Sequence, residues 1–232
     1  MPCSYMNIPA GTKTLDTDAA SKFVANRLVR INKGEHEDRP YLIFPQRRNL
    51  ETRVSEQESK ALFAQYFQDK KFFYSVETPT MQTYQQSGER KLSARTDMTV
   101  YSSPAQAARV CNIELKAGKP DSESFRKDFE KLLREGLPGL WFHTLEKASL
   151  KDWATLYERT LEAFKPRTPD PELAPGTEDH KDLSVAIKAA THSIHFVFCV
   201  LNGGGIERDF VIDFSKESPN DWEQQLKDGF QL

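Results

Sequence analysis

The stretch "RVCNIELKAG", residues 109 to 118, alternates apolar and polar side chains in the manner of a half-buried strand. At period two, Cys111, Ile113, Leu115 and Ala117 line one face, and Val110, Asn112, Glu114 and Lys116 line the other. The strand thus has an oily face and a second face carrying a carboxylate and an ammonium two residues apart. Glu-x-Lys by itself is a weak signal, and it also occurs at Glu58–Lys60 and Glu89–Lys91. Of those two, the first falls on a predicted helix, where positions i and i+2 do not share a face, and the second in the polar loop "QQSGERK". Only the third lies on a strand.

The preceding segment, "LSARTDMTVY" at 92–101, is a strand of the same kind, joined through "SSPAQAA", whose proline ends pairing. An antiparallel hairpin that hides Met98 and Val100 with Ile113 and Leu115 must place Asp97 on the face of Glu114 and Lys116. Two carboxylates and an ammonium on one sheet face require solvent or a cation, because burying them unpaired costs several kcal/mol. A hard divalent ion with oxygen ligands meets that requirement.

Outward from the hairpin, "KFFYSVETPT" at 71–80 adds a third strand. Before it, "VSEQESKALFAQYFQDK" reads as a helix, with Ser55 and Glu58 at capping-box spacing and Leu62, Phe63, Tyr66 and Phe67 as its packed stripe. After "GKPD" the period switches to that of a helix, "SESFRKDFEKLLREG", with Phe125, Phe129, Leu132 and Leu133 as its stripe and Gly136 as its stop. "GLWFHTL" at 139–145 then reads as a buried strand. The order from Val54 to Leu145 is helix, three strands, helix, strand. It predicts an α/β fold with a mixed central sheet and flanking helices.

Around this centre, a first helix is predicted at about 17–33 and another over "SLKDWATLYERTLEAF". "KPRTPDPELAPGTED" has four prolines and no period, and reads as a linker. A short helix, a strand pair, "HSIHFVFCVL" and "ERDFVIDF" across "NGGGI", and a helical turn at Trp222 follow. One domain is expected: an N-terminal helical extension at 1–49, a core at 50–146, and a C-terminal extension at 147–232 holding the helix, the linker and the acidic strand pair.

The 232 residues are 38% hydrophobic and 28% charged, too apolar for a disordered chain. The longest apolar run, "IHFVFCVL", is far short of the roughly 20 residues of a membrane helix. The start, "MPCSYMNIPAG", has no basic and apolar leader pattern. A cytoplasmic protein without membrane partners is expected. Cys3, Cys111 and Cys199 are far apart and odd in number, which points to reduced thiols rather than a disulfide framework or zinc knuckle. The net charge of −2 conceals an asymmetry: from Thr168 onward there are 12 acidic and 5 basic residues, leaving 27 basic and 22 acidic before it. Such a basic excess permits a phosphate-binding face.

Asp97, sixteen residues, then Glu114-Leu-Lys116, within this element order, resembles the PD-(D/E)xK nuclease superfamily of restriction-endonuclease-like fold. The resemblance covers about residues 50–146 and departs from the signature at Thr96, where proline is usual. It implies a metal-dependent DNA endonuclease with Asp97 and Glu114 as ligands of Mg²⁺ (or Mn²⁺). Lys116 would orient the attacking water or help deprotonate it, and the products would be a 5′-phosphate and a 3′-hydroxyl. It also implies a glutamate on the first core helix. Glu58, on the stripe with Leu62 and Tyr66, is the first candidate and Glu56 the second. Lys119, Lys127 and Lys131, with Arg126 and Arg134, follow the motif and are candidate nucleic-acid contacts, interleaved with Asp128, Glu130 and Glu135. Nucleic acid, DNA first, is the expected partner, with a homodimer or complex partner left open. The alternative is a catalytically silent binding module on the same fold.

Other motifs are weaker. "AGTKT" lacks the upstream glycine of a P-loop, "NGGGI" suits a hairpin turn, and His192, His195 and His143 have no metal-ligand spacing.

Overall fold

A computed structural model of the chain describes residues 13–35, 42–46, 52–85, 91–105, 108–164, 186–187, 189–215 and 221–231. The predicted linker at 165–179, the 86–90 loop with Glu89, and Cys3 lie outside them. No helix among the described residues is long and apolar enough to cross a membrane.

The fold is α/β, with a six-stranded mixed sheet covered by helices on both faces. Helix α1 (Thr17–Asn32) starts where the Asp16 carboxylate accepts the Ala19 N–H at 2.9 Å, and buries Ala20, Val24, Leu28 and Val29. Helix α2 (Glu56–Asp69) begins with the capping box of Ser55 and Glu58 and buries Leu62, Phe63, Tyr66 and Phe67. Strands β1 (Phe73–Gln85), β2 (Lys91–Tyr101) and β3 (Arg109–Ala117) form an antiparallel meander. Helix α3 (Ser122–Arg134), capped by Asp121, crosses to β4 (Gly139–Leu145), which runs parallel to β3. Helix α4 (Leu150–Phe164) follows, and β5 (Ser193–Val200) lies parallel to β4. Strand β6 (Gly205–Asp213) pairs antiparallel with β5, and α5 (Asp221–Phe230) closes the described chain. The helix, three-strand, helix, strand order expected between Val54 and Leu145 is present.

Strands run across the sheet in their sequence order, and helices on both sides give each face its own core. One packs α1 and α2 against Met98, Val100, Ile113, Leu115 and Phe142. The other packs α3, α4 and α5 against Trp141, Phe196 and Phe198, with Phe129 at 4.5 Å from the Trp141 ring and 4.9 Å from Phe164. A central strand under helices on both sides must be apolar on both faces, which "GLWFHTL" and "SIHFVFCV" are.

Three expectations change. Strand β3 is not half-buried: its middle residues are buried on both faces, because α3 lies over the side that carries Asn112 and Glu114. The terminal strand pair is no appendage, since β5 and β6 complete the sheet. The turn at Trp222 is a full ten-residue helix whose Trp222, Leu226 and Phe230 are buried.

Helix α5 approaches β6 through Gly229, where a Cβ would lie 2.3 Å from the Phe210 ring. That ring is stacked on Phe196 at 5.2 Å and tilted against Phe230 at 5.5 Å. Overpacking costs about 1–3 kcal/mol, against a helix-propensity gain of roughly 1 kcal/mol for alanine. Gly229→Ala should therefore lower the urea midpoint; an unchanged or higher midpoint would mean that Phe210 moves aside freely.

Candidate functional site

The β2–β3 ladder runs through Met98–Ile113, and the next residues inward, Asp97 and Glu114, are past its last pair. There the Leu115 N–H donates to Asp97 Oδ2 at 2.8 Å, so the carboxylate takes the place of a backbone acceptor. The other Asp97 oxygen lies 3.6 Å from Lys60 Nζ, which also reaches Glu77 Oε1 at 2.7 Å. Glu77, within β1, has φ +49°, a left-handed conformation unusual in a strand interior. Such residues are held by their surroundings and gather at functional sites.

Across this sheet end, Glu114 is 1% exposed. Its Oε2 accepts from Lys131 Nζ at 2.8 Å, while its buried Oε1 has no hydrogen-bond partner among the described residues. Lys131 Nζ also meets Asp128 Oδ1 at 2.7 Å and donates to the Arg95 carbonyl at 2.9 Å. Asp128 Oδ2 forms an ion pair with Lys116, whose Nζ stands 3.9 Å from Glu56 Oε1. Asp97, Glu114 and Lys116 are thus brought to one place, at the end of the sheet between α2 and α3.

The electrostatics follow from burial. Burial, with Asp128 alongside, pushes the Glu114 carboxyl well above the usual carboxylate range, and Lys131 only partly offsets this. Burial likewise raises Glu56, opposed by Lys116 and reinforced by Asp97 and Asp128. Burial works against the Lys116 ammonium, but Asp128, Glu56 and Glu114 outweigh it and hold Lys116 above the usual lysine value. Lys131 is held up in the same way by Glu114 and Asp128. Both lysines are cations at neutral pH.

Glu58 does not look into this cluster. Its Oε2 accepts from the Ser55 N–H at 3.1 Å and the Ser55 hydroxyl at 2.6 Å, so it spends itself on the helix cap. The α2 glutamate at the site is Glu56, in the first turn of the helix. Lys131, expected on a solvated phosphate-facing surface, is turned inward against Glu114 and is 9% exposed. Lys127 is exposed, and Lys119 is about half exposed and paired with Asp152. His143, the cross-strand neighbour of Lys116, contacts the Gly118 carbonyl through Nε2 at 2.7 Å. Its burial lowers it to about 4, so it adds no charge.

Asp128, Lys60 and Glu77 were missed by sequence reading, and Lys131 was read as a nucleic-acid contact rather than as the partner of Glu114. Asp128 had a signal: with Phe125, Phe129 and Leu132 it stands at i, i+3, i+4 and i+7, a carboxylate inside an apolar stripe. Glu77 had none, since its role depends on backbone conformation.

Among the described residues, no three His, Cys, Asp or Glu side chains are grouped to hold a metal ion. The oxygens that could receive one belong to Asp97 and Glu114, with Glu56 nearby. No family model, curated protein or solved structure matches the chain.

A carboxyl raised by folding stabilises fully below its unfolded pKa, and that stability is lost as pH rises through its folded value. Glu114→Gln should therefore be more stable than wild type at pH 8 in chelator, by about 1 kcal/mol or more, and the gap should close towards pH 5. Urea denaturation at the two pH values checks this. A variant less stable at pH 8 would mean that the ionised Glu114 is a net structural asset.

Proposed function

We propose that the chain is a metal-dependent phosphodiesterase, a DNA endonuclease, built on a restriction-endonuclease-like core at residues 50–146. The observation that carries this reading is the convergence of Asp97, Glu114 and Lys116 at one sheet end, with a buried Glu114 oxygen left unpartnered. Folding a carboxylate into a covered strand, where its charge is unfavourable, is costly for structure alone. It is reasonable where a cation is to be received.

The donor set fits a hard divalent ion such as Mg²⁺ or Mn²⁺: carboxylate oxygens of Asp97 and Glu114, with no soft ligand at the site among the described residues. When bound, the ion would supply acidity to a coordinated water and positive charge opposite the reacting phosphate. The chain's own part is positioning and charge. Asp97 is fixed by the Leu115 N–H, and Glu114 by Lys131. Lys116, kept protonated by Asp128, is suited to donating hydrogen bonds to a phosphate oxygen or the attacking water rather than taking a proton. Glu56, half-buried beside it, is the carboxylate best placed to accept a proton. Lys127 remains available to flanking phosphates and Lys119 only by leaving Asp152, while Lys131 is held by Glu114.

A second reading is a nucleic-acid-binding or partner-binding module without catalysis. It draws on the same ion pairs, because lysines already meet Asp97, Glu114 and Asp128. Plasmid nicking in Mg²⁺ or Mn²⁺ separates the two.

Asp97→Asn and Glu114→Gln keep the acceptor for Leu115 N–H and for Lys131, and so should fold while losing about 100-fold or more in nicking rate. Lys116→Ala should lose nicking but retain Mn²⁺ binding by calorimetry, since an ammonium cannot ligate. Wild-type rates in all three would end the nuclease reading. Glu58→Ala is expected to behave differently: about 1 kcal/mol less stable from the lost cap, with the nicking rate of the folded protein unchanged.

A further inference from the structure

Helix α3 presents Asp128 and Lys131 one turn apart, and each is bonded to one member of the strand motif: Asp128 to Lys116, Lys131 to Glu114. They are also bonded to one another, Lys131 Nζ to Asp128 Oδ1 at 2.7 Å. A solvated helix pair would be indifferent to its neighbours. These two residues are 6% and 9% exposed, and Lys131 makes a further hydrogen bond at 2.9 Å to the Arg95 carbonyl of β2. Three elements therefore fix the ammonium at one point.

We propose that Asp128 and Lys131 are positioning residues with separate duties, Lys131 anchoring Glu114 by one oxygen so that the other stays free for a divalent cation, and Asp128 anchoring Lys116. This deepens the nuclease reading and rests on it. The physical reason is the division of labour within the Glu114 carboxylate: Oε2 is held at 2.8 Å while the buried Oε1 has no partner among the described residues. Without Lys131 the carboxylate is free to rotate about its terminal torsion, which is broad for glutamate. Partners that orient metal ligands typically account for about 10–100-fold in metal affinity. The two duties are joined through the Lys131–Asp128 pair, and Asp128→Asn separates them, because an amide oxygen still accepts from Lys131 while the charge that holds Lys116 is removed.

The sign of the effect distinguishes positioning from proximity. A lysine that merely lay near a cation site would repel the ion, and its removal would tighten binding. A lysine that positions the ligand does the opposite. Mn²⁺ calorimetry on the full chain and on Lys131→Met should show binding weakened by about 10–100-fold. Lys131→Gln, which keeps a donor without the charge, serves if Lys131→Met does not fold, and is expected to bind Mn²⁺ more weakly than wild type. Asp128→Asn should leave Mn²⁺ affinity within about threefold of wild type and lower the nicking rate at saturating Mn²⁺ by about 10-fold or more, as Lys116 loses its anchor. Unchanged or tighter Mn²⁺ binding by the folded Lys131 variants overturns the proposal, even if the wild type nicks DNA. A wild type that binds Mn²⁺, loses affinity in those variants and nicks nothing would sustain the anchoring of Glu114 and overturn the nuclease reading alone. A wild type that binds no Mn²⁺ at millimolar concentration overturns both.

Discussion

The structure turns on one buried carboxylate. Glu114 lies on a strand flanked on both edges by neighbours and covered on both faces by helices, where water cannot screen its charge. A lone ionised carboxylate in such a place is costly, so a cation must come from within the chain. Lys131 provides it, and must itself be satisfied by Asp128 and the Arg95 carbonyl. Asp128 then meets Lys116, and Lys116 draws Glu56 within 3.9 Å. The charged network between α2 and α3 follows from accommodating that one side chain.

A second, smaller network lies beside it and follows from strand separation. Beyond Met98–Ile113, β2 and β3 no longer exchange ladder bonds, and the Leu115 N–H would be orphaned. An unpaired buried N–H costs about 1–3 kcal/mol. The Asp97 carboxylate accepts it, which holds the side chain at the mouth of the gap with its other oxygen facing Lys60. Lys60 in turn holds Glu77, the residue with the left-handed backbone. Structural need and site geometry thus coincide at Asp97.

Much of this was legible in the sequence, for reasons that vary with the element. Period-two alternation puts Asp97, Glu114 and Lys116 on one face of the expected hairpin, whereas in the structure Asp97 and Glu114 lie past the last β2–β3 pair and Asp97 is held by the Leu115 N–H. The bounds of β4 and the start of α1 were clear because apolar runs and helical spacing are local signals. The glutamate on α2 was not decided, because helical facing gives both Glu56 and Glu58 a view of the sheet. The choice between them depends on the Ser55 hydroxyl, which takes Glu58 for the cap. Burial of the charged face of β3 was also hidden. Alternation reports polarity, and polarity suggests solvent unless a helix known to lie above supplies counter-charges.

That last failure has a physical lesson about α3. Its residues 125, 128, 129 and 132 form one stripe, and a carboxylate in such a stripe would ordinarily mark a helix that packs poorly or not at all. Here the helix packs well, with Phe125 5.0 Å from the Trp141 ring and Phe129 at 4.5 Å, because the strand beneath answers Asp128 with Lys116. The two irregularities, a lysine on a covered strand and an aspartate in an apolar stripe, are each unfavourable alone and compatible together. A pair of such exceptions, one on a strand and one on the helix that crosses it, is therefore stronger support for their juxtaposition than either motif by itself. Interior charge that is matched across two elements in this way fixes the lateral position of the helix on the sheet, which apolar packing alone leaves loosely specified.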